Sequence, residues 1–73
     1  MHESLFALEQ LPPRLRRLLA PIAAGESNLE IARGTGLALH TVENYVSEIL
    51  EAANCPDRFK LIILAIAYTA SLR

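Results

Sequence analysis

The side chains best placed to do chemistry lie in the segment LHTVENYVSEIL, residues 39–50. Its polar residues recur every three or four positions, which is the spacing of one face of a helix. On such a face an asparagine can pair with adenine, and a glutamate can accept a hydrogen bond from cytosine N4. Asn44 and Glu43 are the candidates for these base contacts, and Thr41 and Ser47 are candidates for contacts to phosphate. One interpretation is therefore a helix that reads DNA bases.

The same face is acidic. Besides His40, it carries Glu43, Glu48 and Glu51, and residues 39–53 contain no lysine or arginine. Phosphate contacts supply most of the nonspecific affinity for DNA, and three glutamates oppose them. The alternative interpretation is an ordinary solvated acidic face.

Cations are available elsewhere in the chain, at Arg14, Arg16, Arg17, Arg33 and Lys60. Arg14 lies at the start of the first predicted helix, and Lys60 lies near the start of the last one. From these positions both could flank a DNA backbone. They could equally serve solubility and pair with the acidic helix. Seven basic and eight acidic residues give a net charge of -1, so no overall field draws this protein to nucleic acid.

Catalytic and metal-binding patterns are missing from the sequence. His2 and His40 are isolated, and the single cysteine, Cys55, excludes a cysteine cluster. There is no glycine-rich phosphate loop, nucleophile–base set or paired-carboxylate pocket. We therefore expect no enzyme activity, no cofactor and no metal.

Helices are predicted throughout. The first runs from Pro13 to a C-terminal cap at Gly25, with Pro21 as a local conflict that should bend its last turn. Ser27 and Glu30 form a capping box for the second helix, and Gly34 and Gly36 mark a tight turn. The third covers about residues 40–53, and the fourth about 58–72 with Asp57 as its cap. The expected buried stripes are Leu15, Leu18, Leu19 and Ile22; Leu29, Ile31 and Ala32; Val42, Val46, Ile49, Leu50 and Ala53.

This order of elements predicts an all-α fold, a four-helix helix-turn-helix domain of residues 11–73. Residues 1–10 precede it as an N-terminal arm, and the sequence leaves open whether this arm is a short helix or a frayed tail. The apolar run LIILAIAY, residues 61–68, is far shorter than the ~20 residues of a membrane span. With no signal peptide at the start, we expect a cytoplasmic location and no membrane partner.

The last helix is apolar on nearly all sides. Leu61, Leu64, Ala65 and Tyr68 form one stripe that can serve the core. A helix that is hydrophobic all round is a buried helix, so the remaining apolar residues predict a contact with a second copy or another partner. The expected interface residues are Ile62, Ile63, Ile66, Ala67 and Ala70. The alternative is a more enclosed monomer in which the arm covers this helix.

Residues 25–50, GESNLEIARGTGLALHTVENYVSEIL, resemble the LuxR/FixJ-type (GerE-like) helix-turn-helix domain of bacterial response regulators and quorum-sensing regulators. The residues that match the family pattern in order are Leu11, Arg14, Ala23, Gly25, Ser27, Asn28, Glu30, Ile31, Ala32, Leu37, Thr41, Val42, Ile49 and Arg58. The resemblance implies a transcription regulator that acts as a homodimer through its last helix. It also implies that the third helix enters the major groove of double-stranded DNA, with Arg14 and Lys60 beside the backbone.

Four departures from the family pattern cluster around the third helix. Ala38 stands in place of a capping serine, Glu43 and Ala52 in place of lysines, and Tyr45 in place of histidine. Each removes a cap, a cation or a hydrogen bond directed at phosphate. The competing function is therefore a helix-turn-helix module that binds, and inhibits, another regulatory protein instead of DNA.

Overall fold

The structure, a computed structural model, describes residues 2–72, and the elements in this range are helices. Their order is α1 His2–Glu9, α2 Pro13–Arg16, α3 Leu19–Ala23, α4 Asn28–Thr35, α5 Leu39–Ala52 and α6 Arg58–Ser71. The all-α fold class is confirmed. The predicted second, third and fourth helices correspond to α4, α5 and α6.

The prediction of one continuous first helix is wrong, because the structure has two helices there, α2 and α3, separated at Arg17 and Leu18. Proline has no N–H to donate to the carbonyl four residues earlier, and its ring clashes with that carbonyl. For Pro21 that carbonyl belongs to Arg17, where the helix stops. Instead of a bend in the last turn, Pro21 produces an interruption one turn before itself. The chain bridges it with a tight turn, in which Leu18 N–H donates to the Leu15 carbonyl over 3.0 Å.

Helix ends follow the predicted caps at three places. Ser27 Oγ accepts from Glu30 N–H over 3.1 Å, and Glu30 Oε1 accepts from Ser27 N–H over 2.7 Å, which completes the capping box of α4. Gly25 follows α3 with φ +80°, in the left-handed region that glycine adopts without strain. Asp57 Oδ1 accepts from Lys60 N–H over 2.9 Å and caps α6. In contrast, Ala38 gives α5 no side-chain cap.

The N-terminal arm is helical over residues 2–9, and Met1 lies outside the described residues. Leu8 is fully buried and Leu5 is partly buried against the core. Helix α1 thereby packs against both α5 and α6. The division into an arm of residues 1–10 and a domain of residues 11–73 stays a prediction.

The core is aliphatic, with Tyr68 as its aromatic member, and no buried polar or charged residue occurs in the described range. Its members are Leu8, Leu11, Leu15, Leu18, Leu19, Ile22, Ile31, Ala32, Val42, Val46, Ile49, Ala53, Leu61, Leu64, Ala65 and Tyr68. The predicted stripes are confirmed except at two positions. Leu50 is only half-buried, and Leu29 is 46% exposed. Helices α4 and α5 pack on each other, and contacts of α5 with α2 and α1 attach this pair to the rest of the domain, where α3 packs on α6.

Candidate nucleic-acid interface

Helices α4 and α5 are joined by a turn of residues 36–38 and pack on each other. The turn begins at Gly36, whose φ of +77° is left-handed, and its N–H donates to the Ala32 carbonyl to close α4. A side chain at this φ would strain the backbone, so glycine fits the start of the turn. This short connection brings the start of α5 next to the end of α4, as in a helix-turn-helix.

Helix α5 separates its two faces cleanly. Val42, Val46 and Ile49 are buried and fix the helix to the domain. The polar residues predicted to read bases or oppose phosphate are exposed: His40, Glu43, Asn44, Ser47, Glu48 and Glu51. Thr41 is half-buried at the edge between the two faces. The structure thus brings Glu43, Asn44 and Ser47 together on one solvent-facing strip.

Arg14 reaches from α2 to α5 and forms a forked ion pair with Glu48. Its Nη1 and Nη2 donate to Glu48 Oε2 and Oε1, each over 3.0 Å. The guanidinium also lies 5.2 Å from the centroid of the Tyr45 ring, within range of a cation–π contact. The hydrogen bonds from Arg14 hold the pKa of the Glu48 carboxyl below its usual range, so at neutral pH the pair is ionised.

The other arginines with defined partners are tied to different elements. Arg16 Nη1 donates to the Glu9 carbonyl at the end of α1, and Arg17 Nη2 donates to the Thr35 carbonyl at the end of α4. Arg58 donates to the Asn28 side chain and, over 2.7 Å, to the Glu26 carbonyl. These arginines do not converge on α5. Lys60 is exposed in the first turn of α6, and within residues 2–72 its side chain makes no hydrogen bond or ion pair.

The sequence left pairing of Arg14 with the acidic helix open as an alternative, but it did not identify Glu48 or Tyr45 as the partners, and it did not predict the bonds of Arg58. The only available signal was that Tyr45 and Glu48 are three residues apart on one helix face. Arg14 is 34 residues from Glu48 in the chain, so their pairing depends on how α2 packs on α5.

Helix α6 carries an exposed apolar stripe, which we define as Phe59, Ile63, Ile66 and Ala70. Its members are separated by four, three and four residues, so they share one side of the helix. Phe59 is 69% exposed, Ile63 44% and Ile66 50%. Phe59 was not among the predicted interface residues.

The other two predicted interface residues are partly covered. Ile62 and Ala67 are half-buried, and Ile62 packs against the core. Helix α1 does pack on α6, as the enclosed-monomer alternative requires. It nevertheless leaves Ile63 and Ile66 open to solvent.

Other kinds of site have little support in the described part of the chain. An open hollow of about 490 Å³ lies between α1, α2 and α5, with Phe6, Leu11, Arg14 and Ala52 in its lining. No group of three His, Cys, Asp or Glu side chains among residues 3–72 could hold a metal ion. None of the helices described is both long and apolar enough to cross a membrane.

Comparison with known families agrees with this geometry. The family model GerE, of bacterial regulatory proteins of the luxR family, matches residues 9–65, from the last residue of α1 to the middle of α6. No match is found among curated proteins or solved structures. The family comprises helix-turn-helix regulators that bind DNA, and it is not an enzyme family. Since the match spans most of the chain and includes both helices of the motif, the protein belongs to the LuxR family of bacterial regulatory proteins.

Proposed function

We propose that this protein binds double-stranded DNA as a homodimer, with α5 of each copy in the major groove. The observation that carries the proposal is the two-faced character of α5. Its apolar face is held by the core, and its opposite face offers Glu43, Asn44 and Ser47 to solvent. In a helix-turn-helix protein, this second helix enters the groove and its polar side chains reach base edges.

Each predicted contact follows from side-chain chemistry. Asn44 pairs with adenine through its amide, and Glu43 accepts a hydrogen bond from cytosine N4. Thr41 and Ser47 donate to phosphate oxygens. Lys60 flanks the backbone with an unpaired cation, whereas Arg14 must first leave Glu48. The resulting complex has few phosphate contacts, so its affinity is low and depends on base contacts more than usual.

Dimerisation uses the exposed apolar stripe of α6. A two-fold axis beside Ile63 and Ile66 would bury both residues against their copies, and the small Ala70 permits close approach of the two helices. The same axis relates two half-sites on the DNA. Bacterial DNA lies in the cytoplasm, so this function implies a cytoplasmic location.

A second candidate function is favoured by the charges of α5. Its face is acidic, and its nearest cation, Arg14, is neutralised by Glu48. Such a surface suits a module that binds another regulatory protein through that protein's basic residues. In this case Glu43 and Glu51 would contact the partner and would not contact DNA.

The two candidates are separated by DNA binding measured over a salt series with random duplex DNA. Glu43→Lys replaces a repulsive carboxylate with a cation that faces phosphate, so we expect tighter binding and a salt slope steeper by about one unit. The matched control is Glu9→Lys, an identical charge change at the exposed end of α1, for which the slope should stay that of the unmodified protein.

Absence of binding at low salt by both the unmodified protein and Glu43→Lys would refute the proposed function. Capture of a regulator by the unmodified protein, lost in Glu43→Lys and Glu51→Lys, would then favour the interaction module.

A further inference from the structure

The ion pair between Arg14 and Glu48 uses the fork with which arginine recognises phosphate. Two parallel N–H groups of Arg14 face two carboxylate oxygens of Glu48 at 3.0 Å each. A phosphate group offers the same pair of acceptors to the same fork. Glu48 therefore occupies the donors that a DNA phosphate would use.

The pair also lies beside the proposed reading face. Thr41, Tyr45 and Glu48 are spaced by four and three residues, so they form one row along the edge of α5. Thr41 is the proposed phosphate contact at one end of this row. Arg14 lies over Tyr45 in its middle and pairs with Glu48 at its other end. Helix α2 thus supplies the cation that α5 lacks, but Glu48 neutralises its charge.

We propose that the Arg14–Glu48 pair is an autoinhibitory contact, in which Glu48 withholds the guanidinium of Arg14 from the DNA backbone. This inference rests on the proposed DNA-binding function and adds its regulation. A contact between Arg14 and a phosphate requires displacement of the Glu48 carboxylate, and in the unmodified protein the pair keeps Arg14 out of the DNA contacts. The affinity of the protein for DNA is accordingly lower than its surface cations allow.

The strength of the contact permits such an exchange. The two side chains are 49% and 47% exposed, so solvent and salt screen their attraction. An exposed ion pair commonly changes an equilibrium constant by roughly fivefold or less, and the forked geometry places this pair toward the upper end of that range. Releasing Arg14 should therefore tighten DNA binding by about two- to fivefold at low salt.

The test compares Glu48→Gln with Glu51→Gln in the full chain. Both changes remove one negative charge from the exposed C-terminal half of α5, but only Glu48 holds Arg14. Binding to random duplex DNA is measured over a salt series. Glu48→Gln should bind more tightly than Glu51→Gln, with a salt slope steeper by about one unit because one further phosphate contact forms. Circular dichroism and thermal melts verify that each variant is folded.

The decisive comparison repeats these substitutions in a protein that also carries Arg14→Ala. Combined with Arg14→Ala, the change Glu48→Gln should give no more affinity than Glu51→Gln does, and the slope should not steepen. Equal effects of Glu48→Gln and Glu51→Gln, weaker binding by Glu48→Gln, or a gain that persists without Arg14 would each overturn the autoinhibitory contact. In those three outcomes DNA binding by the unmodified protein still supports the proposed function. Absence of binding by every variant, Glu43→Lys included, refutes both.

Discussion

At the scale of single residues, two neighbours in α5, Val46 and Ser47, lie in opposite environments. Val46 is 5% exposed within an aliphatic core, and Ser47 beside it faces solvent. A charge at the first position would lack a charged partner, because the described core contains no charged side chain. A charge at the second position remains hydrated. The same substitution should therefore have very different effects at these two sites.

Val46→Asp should lower the free energy of unfolding by several kcal/mol, because it buries an unpaired carboxylate. That loss is comparable with the whole stability expected of so small a domain. Ser47→Asp, the neighbouring control, should change stability little. Urea unfolding followed by circular dichroism measures both. A melting curve of Val46→Asp like that of the unmodified protein would mean that the buried face of α5 is assigned wrongly.

The buried face of α5 could be predicted from the sequence, whereas pairing of Arg14 with the acidic helix could be raised only as an alternative, without its partner. The spacing of Val42, Val46 and Ile49 marks one helix face by itself, because the helical period is the same wherever the helix lies. The bond between Arg14 and Glu48 depends on the position of one helix on another, which no local pattern contains. Leu29 shows the limit of periodicity, since an apolar residue in the first turn of α4 lies outside the core.

At the scale of elements, helix ends are determined by individual side chains. Ser27, Glu30 and Asp57 supply the bonds that the first backbone N–H groups need, and each was predictable from its type and position. The interruption between α2 and α3 was harder to place. The effect of Pro21 falls four residues earlier, at Arg17, so the proline and the end of the helix are separated in the sequence.

Ser27→Ala should cost about 0.5–2 kcal/mol of stability, because Glu30 N–H loses its acceptor at the start of α4. Ser47→Ala is the control, since Ser47 is an exposed serine within α5 that caps no helix. Chemical unfolding of the two variants gives the comparison. Equal stabilities would show that the capping box contributes nothing to this helix.

At the scale of the whole molecule, the six helices within residues 2–72 enclose a core and leave the apolar stripe of α6 uncovered. The arm was predicted only as two alternatives, because its few apolar residues do not reveal what they pack against. In the structure Leu8 enters the core, yet α1 covers a different part of α6 from Ile63 and Ile66. Complete burial of an isoleucine side chain is worth about 1.5–3 kcal/mol, which favours association through this stripe.

Ile63→Lys combined with Ile66→Glu should give a monomer by sedimentation velocity and keep the helical circular dichroism signal. The matched control is Leu29→Lys combined with Leu39→Glu, which alters two leucines of similar exposure, 46% and 42%, on α4 and α5. The control should sediment like the unmodified protein. An unmodified protein that is already monomeric at high micromolar concentration would contradict the proposed dimer.

The absence of buried charged residues from the described core bears on how a family like this can diverge. No charge on the surface of α5 has a buried counterpart that must change with it, so single substitutions can accumulate there without compensation inside the domain. Cations on the helix that corresponds to α5 can be lost one at a time while the backbone stays the same. The acidic α5 of this protein is reachable by such steps, and a return to a basic helix is equally open. Packing of the core therefore does not determine which charges this surface carries.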